Sequence, residues 1–181
     1  MKNIEVEVRA FITKEQYDAL FKRFGNASNE DEQVTYYFNG PVDLRIQQNR
    51  SYSKIWLKKG ALHSDAREEV EVHVAREDFG KLEALFRALG YEIAIKWFRT
   101  RNEFTYDGAT VTLDYTKGYG YILELEKIVN AESDVEKTKR ELIEKMRSLG
   151  ITPTPKEEFD RAYAAYKQNW RALVGEHSQA I

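Results

Sequence analysis

Ile4-Glu5-Val6-Glu7-Val8-Arg9 alternates between aliphatic and charged residues. A period of two places Glu5, Glu7 and Arg9 on one face of a β-strand and Ile4, Val6 and Val8 on the other. The Glu-apolar-Glu pattern returns at Glu69-Val70-Glu71 and at Glu124-Leu125-Glu126, and Asp114 falls in phase on a further alternating run. Basic residues keep the phase of the acids: Arg9 follows the first pair, Arg45 sits between Leu44 and Ile46, Lys54 and Lys58 flank Trp56, and Arg99 precedes Arg101 by two. The opposite faces carry Val70, Val72 and Val74, then Val111 and Leu113, then Leu123 and Leu125.

Around this stretch, period-2 runs at 4–12, 33–39, 42–48, 52–59, 67–74, 94–105, 109–116 and 120–128 predict about eight strands, with Asn39-Gly40, Lys59-Gly60, Asp107-Gly108 and Gly118-Tyr119-Gly120 as turns. Helices fill the gaps. Thr13-x-x-Gln16 has capping-box spacing, Tyr17, Leu20, Phe21 and Phe24 recur at helical intervals, and Gly25 stops the run. A second helix carries Phe79, Leu82, Leu85, Phe86 and Leu89 and ends at Gly90. Ser133-x-x-Glu136 opens a third that stops at Gly150, and Thr154-Pro155-x-Glu157 opens a fourth bearing Phe159, Tyr163, Tyr166 and Trp170.

An antiparallel sheet ordinarily turns its polar face to water. Here each helix has an apolar stripe that must cover something, so helices outside the sheet consume the aliphatic faces and turn the charged faces inward. About eight strands suffice to close a barrel around one small ligand. The predicted fold is α+β: an eight-stranded antiparallel closed β-barrel with helices packed outside and at the C-terminus. One domain is expected over 1–173, with 174–181 as a flexible tail.

Composition excludes several classes. The 181 residues hold 28 Lys plus Arg against 30 Asp plus Glu, a net charge of −2, whereas nucleic-acid polymer binding usually leaves a strongly basic footprint. With no cysteine there is no disulfide framework, thiolate metal site or cysteine nucleophile. No apolar stretch approaches the roughly 20 residues of a membrane helix, and Met1–Ala10 lacks the apolar core of a signal peptide, so a cytoplasmic protein is expected.

The inward face would gather seven carboxylates (Glu5, Glu7, Glu69, Glu71, Asp114, Glu124, Glu126) and six cations (Arg9, Arg45, Lys54, Lys58, Arg99, Arg101). Crowded buried carboxylates disfavour one another's ionised form unless a cation joins them. Hard oxygen ligands suit Mg2+ or Mn2+, which keep several waters and bind through carboxylates together with substrate phosphates. Six converging cations then call for a polyanion, most simply a triphosphate.

This combination resembles the CYTH, or triphosphate tunnel metalloenzyme, superfamily, over roughly residues 3–170. Glu5-Val6-Glu7-Val8-Arg9 stands where the family has Glu-x-Glu-x-Lys, and the later blocks follow in order: Leu44-Arg45, Lys58, Arg67-x-Glu69-x-Glu71, Arg99-x-Arg101, Asp114, and Gly120 before Glu124-x-Glu126. The resemblance implies that Glu5, Glu7, Glu124 and Glu126 are the principal metal ligands. Glu69, Glu71 and Asp114 would hold a second metal or order water, and Arg9, Arg45, Lys54, Lys58, Arg99 and Arg101 would grip phosphates. Two departures stand out: Arg9 replaces the family lysine, a planar fork for a compact ammonium, and Gln47 occupies the place of a second arginine.

The function so implied is metal-dependent hydrolysis of inorganic or nucleoside triphosphate, with Glu69, Glu71 and Arg9 as catalytic groups. The alternatives are a class IV adenylyl cyclase and a non-catalytic polyphosphate- or nucleotide-binding module. The partner is a small molecule; the chain acts as monomer or homodimer. Trp56, Tyr36, Tyr37 and Trp97 are candidates to stack a base or thiamine ring, though each also serves as packing. His73 shares the phase of Glu71, while His63 and His177 are scattered. Gly118-Tyr119-Gly120 lacks the third glycine and following helix of a dinucleotide loop. The terminal aromatic stripe packs on the barrel or gates its mouth.

Overall fold

In a computed structural model, residues 4–59 and 68–176 are described. The strands are β1 (Ile4–Ile12), β2 (Asn29–Phe38), β3 (Asp43–Gln48), β4 (Tyr52–Lys59), β5 (Glu68–Ala75), β6 (Ile93–Tyr106), β7 (Ala109–Thr116) and β8 (Gly120–Val129). Four α-helices accompany them: α1 (Lys14–Phe24), α2 (Phe79–Ala88), α3 (Val135–Ser148) and α4 (Lys156–Val174). All pairings are antiparallel, in the order β1-β8-β7-β6-β2-β3-β4-β5. The expected closed barrel is not completed by hydrogen bonds: β1 and β5 are the two edges of the ladder. Side chains from both ends of that order nonetheless line one cavity, so the sheet is strongly curled, as right-handed strand twist favours.

The aliphatic faces of β1, β7 and β8 are buried as expected. Val6, Val8, Val111, Leu113, Leu123 and Leu125 form one cluster with Leu20 of α1 and Leu142 and Met146 of α3. A second cluster joins Phe38, Ile46 and Ile95 of the sheet to Leu82 of α2 and to Tyr166, Trp170 and Val174 of α4. Coverage stops at the far edge. Val70 and Val72 on β5 are 45% and 53% exposed, because α2 turns back to pack over β3 and β4.

The capping box of α1 forms in full, with Gln16 N–H donating to Thr13 Oγ1 and Thr13 N–H to Gln16 Oε1. The other two expected caps do not. Ser133 lies inside a 3-10 turn that runs into α3, whose first turn has no side-chain cap. Thr154 does not cap α4; its hydroxyl accepts the Phe11 N–H at 2.9 Å, and its own N–H donates to the Arg9 carbonyl at 3.0 Å. The α3–α4 connection is thereby fastened to the otherwise open edge of β1. At the other end of α4, a Cβ on Gly118 would stand 2.6 Å from Leu173 Cβ, and Gly118 has φ +75°; the β7–β8 turn needs glycine to let the helix lie this close.

Candidate active site

Strand register builds the site row by row. Glu7 faces Glu126 and Arg9 faces Glu124 across β1–β8, Arg101 faces Asp114 across β6–β7, and Arg45 faces Trp56 across β3–β4. Alternation carries these side chains to the concave side, where they line a cavity of about 370 Å³. Every expected site residue whose side chain is described lines it: Glu5, Glu7, Glu71, Asp114, Glu124 and Glu126 among the acids, and Arg9, Arg45, Lys54, Lys58, Arg99 and Arg101 among the bases. The Glu69 side chain, Arg67, His63 and His177 lie outside the described residues.

The cavity has three regions. On β1 and β8 the acids dominate. Burial, then Glu124 and Glu5, push the Glu7 carboxyl up to about 7 against the pull of Arg9 and Lys58, with Arg9 Nε 3.3 Å from Glu7 Oε1. Burial, Glu5 and Glu124 likewise push Glu126 up to about 7. Burial works in the same direction on Glu124, but Arg101, Arg9 and Arg99 overcome it and hold that carboxyl down to about 2.

The middle region is an ion network on β6, β7 and β8. Arg101 donates to both oxygens of Asp114, at 2.9 and 2.6 Å, and to Glu124 Oε2 at 2.7 Å. Arg99 Nη1 reaches Asp114 at 3.2 Å while its Nε and Nη2 donate to Gln33 Oε1 at 2.9 and 2.6 Å. Asp114 is 2% exposed and is engaged by guanidiniums on both oxygens. Burial, followed by the neighbouring Arg101, lowers the Arg99 pKa; for Arg101, Asp114 and Glu124 outweigh burial and raise it.

On β3, β4 and β5 the cations dominate. Arg45 is held bidentately by Asp43 at 2.7 and 2.5 Å, and Lys54 donates to Glu71 Oε1 at 2.7 Å. Hydrogen bonds from Lys54 and His73 overcome burial and hold Glu71 below its ordinary value. His73 is not itself in the cavity lining; it stacks on the lining residue Tyr52, ring centroids 4.3 Å apart, and meets Glu71 at 3.1 Å.

Of the candidate stacking residues, Trp56, Tyr37 and Trp97 line the cavity, whereas Tyr36 packs on Phe79 at 4.9 Å. The α4 stripe divides in function. Phe159 and Tyr163 line the cavity, with Arg9 Cζ 4.9 Å from the Phe159 centroid, while Tyr166 and Trp170 are buried beside Trp97 and Ile95. Sequence reasoning marked Gln47 only as standing in place of an arginine and missed Gln33 and Thr35, which form a neutral layer with it: Gln47 donates to Thr35 Oγ1 at 2.9 Å, beside Gln33. These residues carry no charge to mark them, but Gln33, Thr35 and Tyr37 share a phase, as do Arg45 and Gln47, and that phase was the available signal. Gly118-Tyr119-Gly120 is the β7–β8 turn.

Among the described residues, no group of three acidic or histidine side chains is gathered to hold a metal ion unaided. The donor chemistry still fits one. Glu7 and Glu126, crowded with Glu5 and Glu124, retain protons near neutrality, the state that an added divalent cation relieves. Mg2+ commonly takes one or two carboxylates and completes its shell with water and phosphate.

The site is a curled antiparallel sheet holding facing acidic and basic walls on one cavity. The CYTH domain profile matches residues 3–159, and the chain belongs to the CYTH family, whose members are triphosphatases or adenylyl cyclases. A protein of Methanocaldococcus jannaschii named "Putative adenylate cyclase MJ0240" is 29% identical over 162 residues, 82% of this chain and 91% of the relative. The PH1012 protein of Pyrococcus horikoshii shares the fold with a TM-score of 0.70 at 22% identity, covering 84% of this chain and 95% of that one. HpAC1 from Hippeastrum, whose structure is described as revealing a dominant triphosphatase activity, aligns with a TM-score of 0.65 at 16% identity over 90% of this chain and 96% of its own. No helix among the described residues is long and apolar enough to cross a membrane.

Proposed function

We propose that the protein hydrolyses a triphosphate, inorganic or nucleoside, with Mg2+ or Mn2+, in the cytoplasm. The observation that carries this is the meeting of an acidic wall (Glu5, Glu7, Glu126) and a cationic wall (Arg45, Lys54, Lys58) on one cavity, from strands at opposite ends of the sheet order. Its volume of about 370 Å³ lies within the usual range for small-molecule sites and leaves no room for a polymer.

Glu5, Glu7, Glu124 and Glu126 would hold the ion, which supplies Lewis acidity to phosphate oxygens. Arg45, Lys54 and Lys58 bind the outer phosphate oxygens, and Arg9, Arg99 and Arg101 neutralise charge as it develops on the bridging ones. Asp114 sets the orientation of Arg99 and Arg101 through the hydrogen bonds above. Glu71, kept ionised by Lys54 and His73, accepts a hydrogen bond from the attacking water and holds it in line with the terminal phosphorus; Glu69 shares that part. Positioning and electrostatics supply most of the acceleration in phosphoryl transfer.

A second activity, cyclisation of ATP to cyclic AMP and pyrophosphate, is favoured by the archaeal relative's name. The products decide. The protein is incubated with ATP and separately with tripolyphosphate, in Mg2+ and in Mn2+, and the products are separated by chromatography. Orthophosphate from tripolyphosphate is expected; cyclic AMP with pyrophosphate from ATP would establish the cyclase instead, and retention of intact triphosphate without turnover would leave a binding module.

A further inference from the structure

Trp56 stands in the middle of the cationic wall. Lys54 Nζ lies 4.1 Å, Lys58 Nζ 4.3 Å and Arg45 Cζ 4.9 Å from its ring centroid. The register produces this arrangement: Lys54 and Lys58 are the in-phase neighbours of Trp56 along β4, and Arg45 is its partner across the ladder from β3. Arg45 also lies 4.3 Å from the Tyr37 centroid, between two aromatic rings. Arg45 and Lys54 are 7% and 8% exposed, so the crowding takes place where water screens it poorly.

Three like charges around one point repel one another. Asp43 on Arg45 and Glu71 on Lys54 offset part of that repulsion, but a further carboxylate at the centre would neutralise the cations and repel an incoming phosphate. An indole ring offers its negative π-face to each cation and carries no formal charge. The cations therefore stay close together without a further negative charge that would turn an anion away. The same contacts commit the indole to protein cations, which leaves it poorly placed to receive a substrate's base.

We infer that Trp56 is a positioning residue that assembles Arg45, Lys54 and Lys58 into a preformed polyphosphate-binding cluster, so that this part of the site reads the phosphates and ignores whatever organic group they carry. This rests on the triphosphate function proposed above, and the test separates the two.

Wild-type protein, Trp56→Leu and Trp56→Phe are titrated calorimetrically with tripolyphosphate and with ATP, first in metal-free buffer, where affinity is read apart from turnover, and again with Mg2+. Loss of the π-face in Trp56→Leu is expected to weaken both ligands by about tenfold and by the same factor, while Trp56→Phe, which keeps a π-face, stays within about threefold of wild type. Equal losses in the Phe and Leu variants would reduce the residue to packing and overturn the inference. So would a loss confined to ATP, the signature of base stacking, or unchanged affinity in both variants. If Trp56→Leu melts below the assay temperature, Trp56→Met takes its place, keeping length without a ring. Failure of the wild type to bind either ligand with or without Mg2+ would instead sink the triphosphate function itself.

Discussion

Glu7 and Glu126 face each other directly across the β1–β8 ladder, and both carboxyls are pushed up to about 7 by burial and by their acidic neighbours. A carboxyl whose folded-state pKa exceeds its unfolded value stabilises the fold most fully below the unfolded value, and that stability disappears as pH rises through the folded one. In metal-free buffer the melting temperature should therefore fall between about pH 4.5 and 7. Glu124, held down to about 2, acts oppositely, contributing above its ordinary range and losing that contribution only in strong acid. Added Mg2+ or Mn2+ should recover the lost stability at pH 8. A melting temperature that climbs steadily through the window without metal would remove the crowded-carboxylate account.

Replacing Glu5 and Glu7 together by Gln removes charge but keeps shape. The double variant should lose metal-dependent turnover by more than about a hundredfold, beyond what loss of an outer-shell partner costs a metal site. It should also melt at or above the wild-type temperature in metal-free buffer, because repulsion is relieved. Activity and melting are measured on the same preparations, and surviving metal-dependent turnover would show that the ion sits elsewhere.

Asp114 is the common partner of Arg99 and Arg101. Asp114→Ala leaves two half-buried guanidiniums short of a counter-ion and should cost on the order of 3 kcal/mol in denaturant unfolding. Asp114→Asn, which can still accept a hydrogen bond, should cost less. A double-mutant cycle with Arg101→Met measures the coupling; additive losses would dissolve the network.

Arg9→Lys restores the family's residue type while keeping a charge opposite Glu124. It should preserve or raise kcat/KM for tripolyphosphate, and Arg9→Ala should lower it strongly. Complete loss in the Lys variant would mean that the phosphate grip has been rebuilt around the guanidinium fork, with Phe159 as its support.

Gly118→Ala places a methyl group against Leu173 in a left-handed backbone conformation. A cost of about 1–3 kcal/mol is expected, and Leu173→Ala should not recover it, because alanine keeps the Cβ that the new methyl group meets. Thermal unfolding of the single and double variants checks this; a neutral Gly118→Ala would show that the α4 terminus yields freely.

The strands were legible because charge and apolar character alternate without interruption, as in Ile4–Arg9 and Leu123–Glu126, and burial of one face leaves no other register. The charged residues that line the cavity followed from phase alone. Closure did not, since alternation says which face a side chain takes and nothing about whether β1 meets β5. Residues 29–32 carry only polar side chains, so the start of β2 was hidden; its pairing with β6 comes from tertiary context. The hydroxyls of Ser133 and Thr154 matched local capping patterns, yet a long-range demand, the unpaired Phe11 N–H, claimed Thr154. Gln33 went unnoticed because a neutral amide in a charged row gives no sign of the arginine it serves, and Gln47 was marked only as standing where an arginine was expected.

Every charged group of the cavity comes from the sheet, whereas Phe159 and Tyr163 arrive on the last helix. Within that division the charged rows and the helical part of the aromatic lining are written in separate stretches of chain, and the family match ends at Phe159, near the start of that helix. A lineage can thus exchange or retune one terminal segment to admit a bulkier guest while the charged rows stay in place, a modular route from one scaffold to many clients.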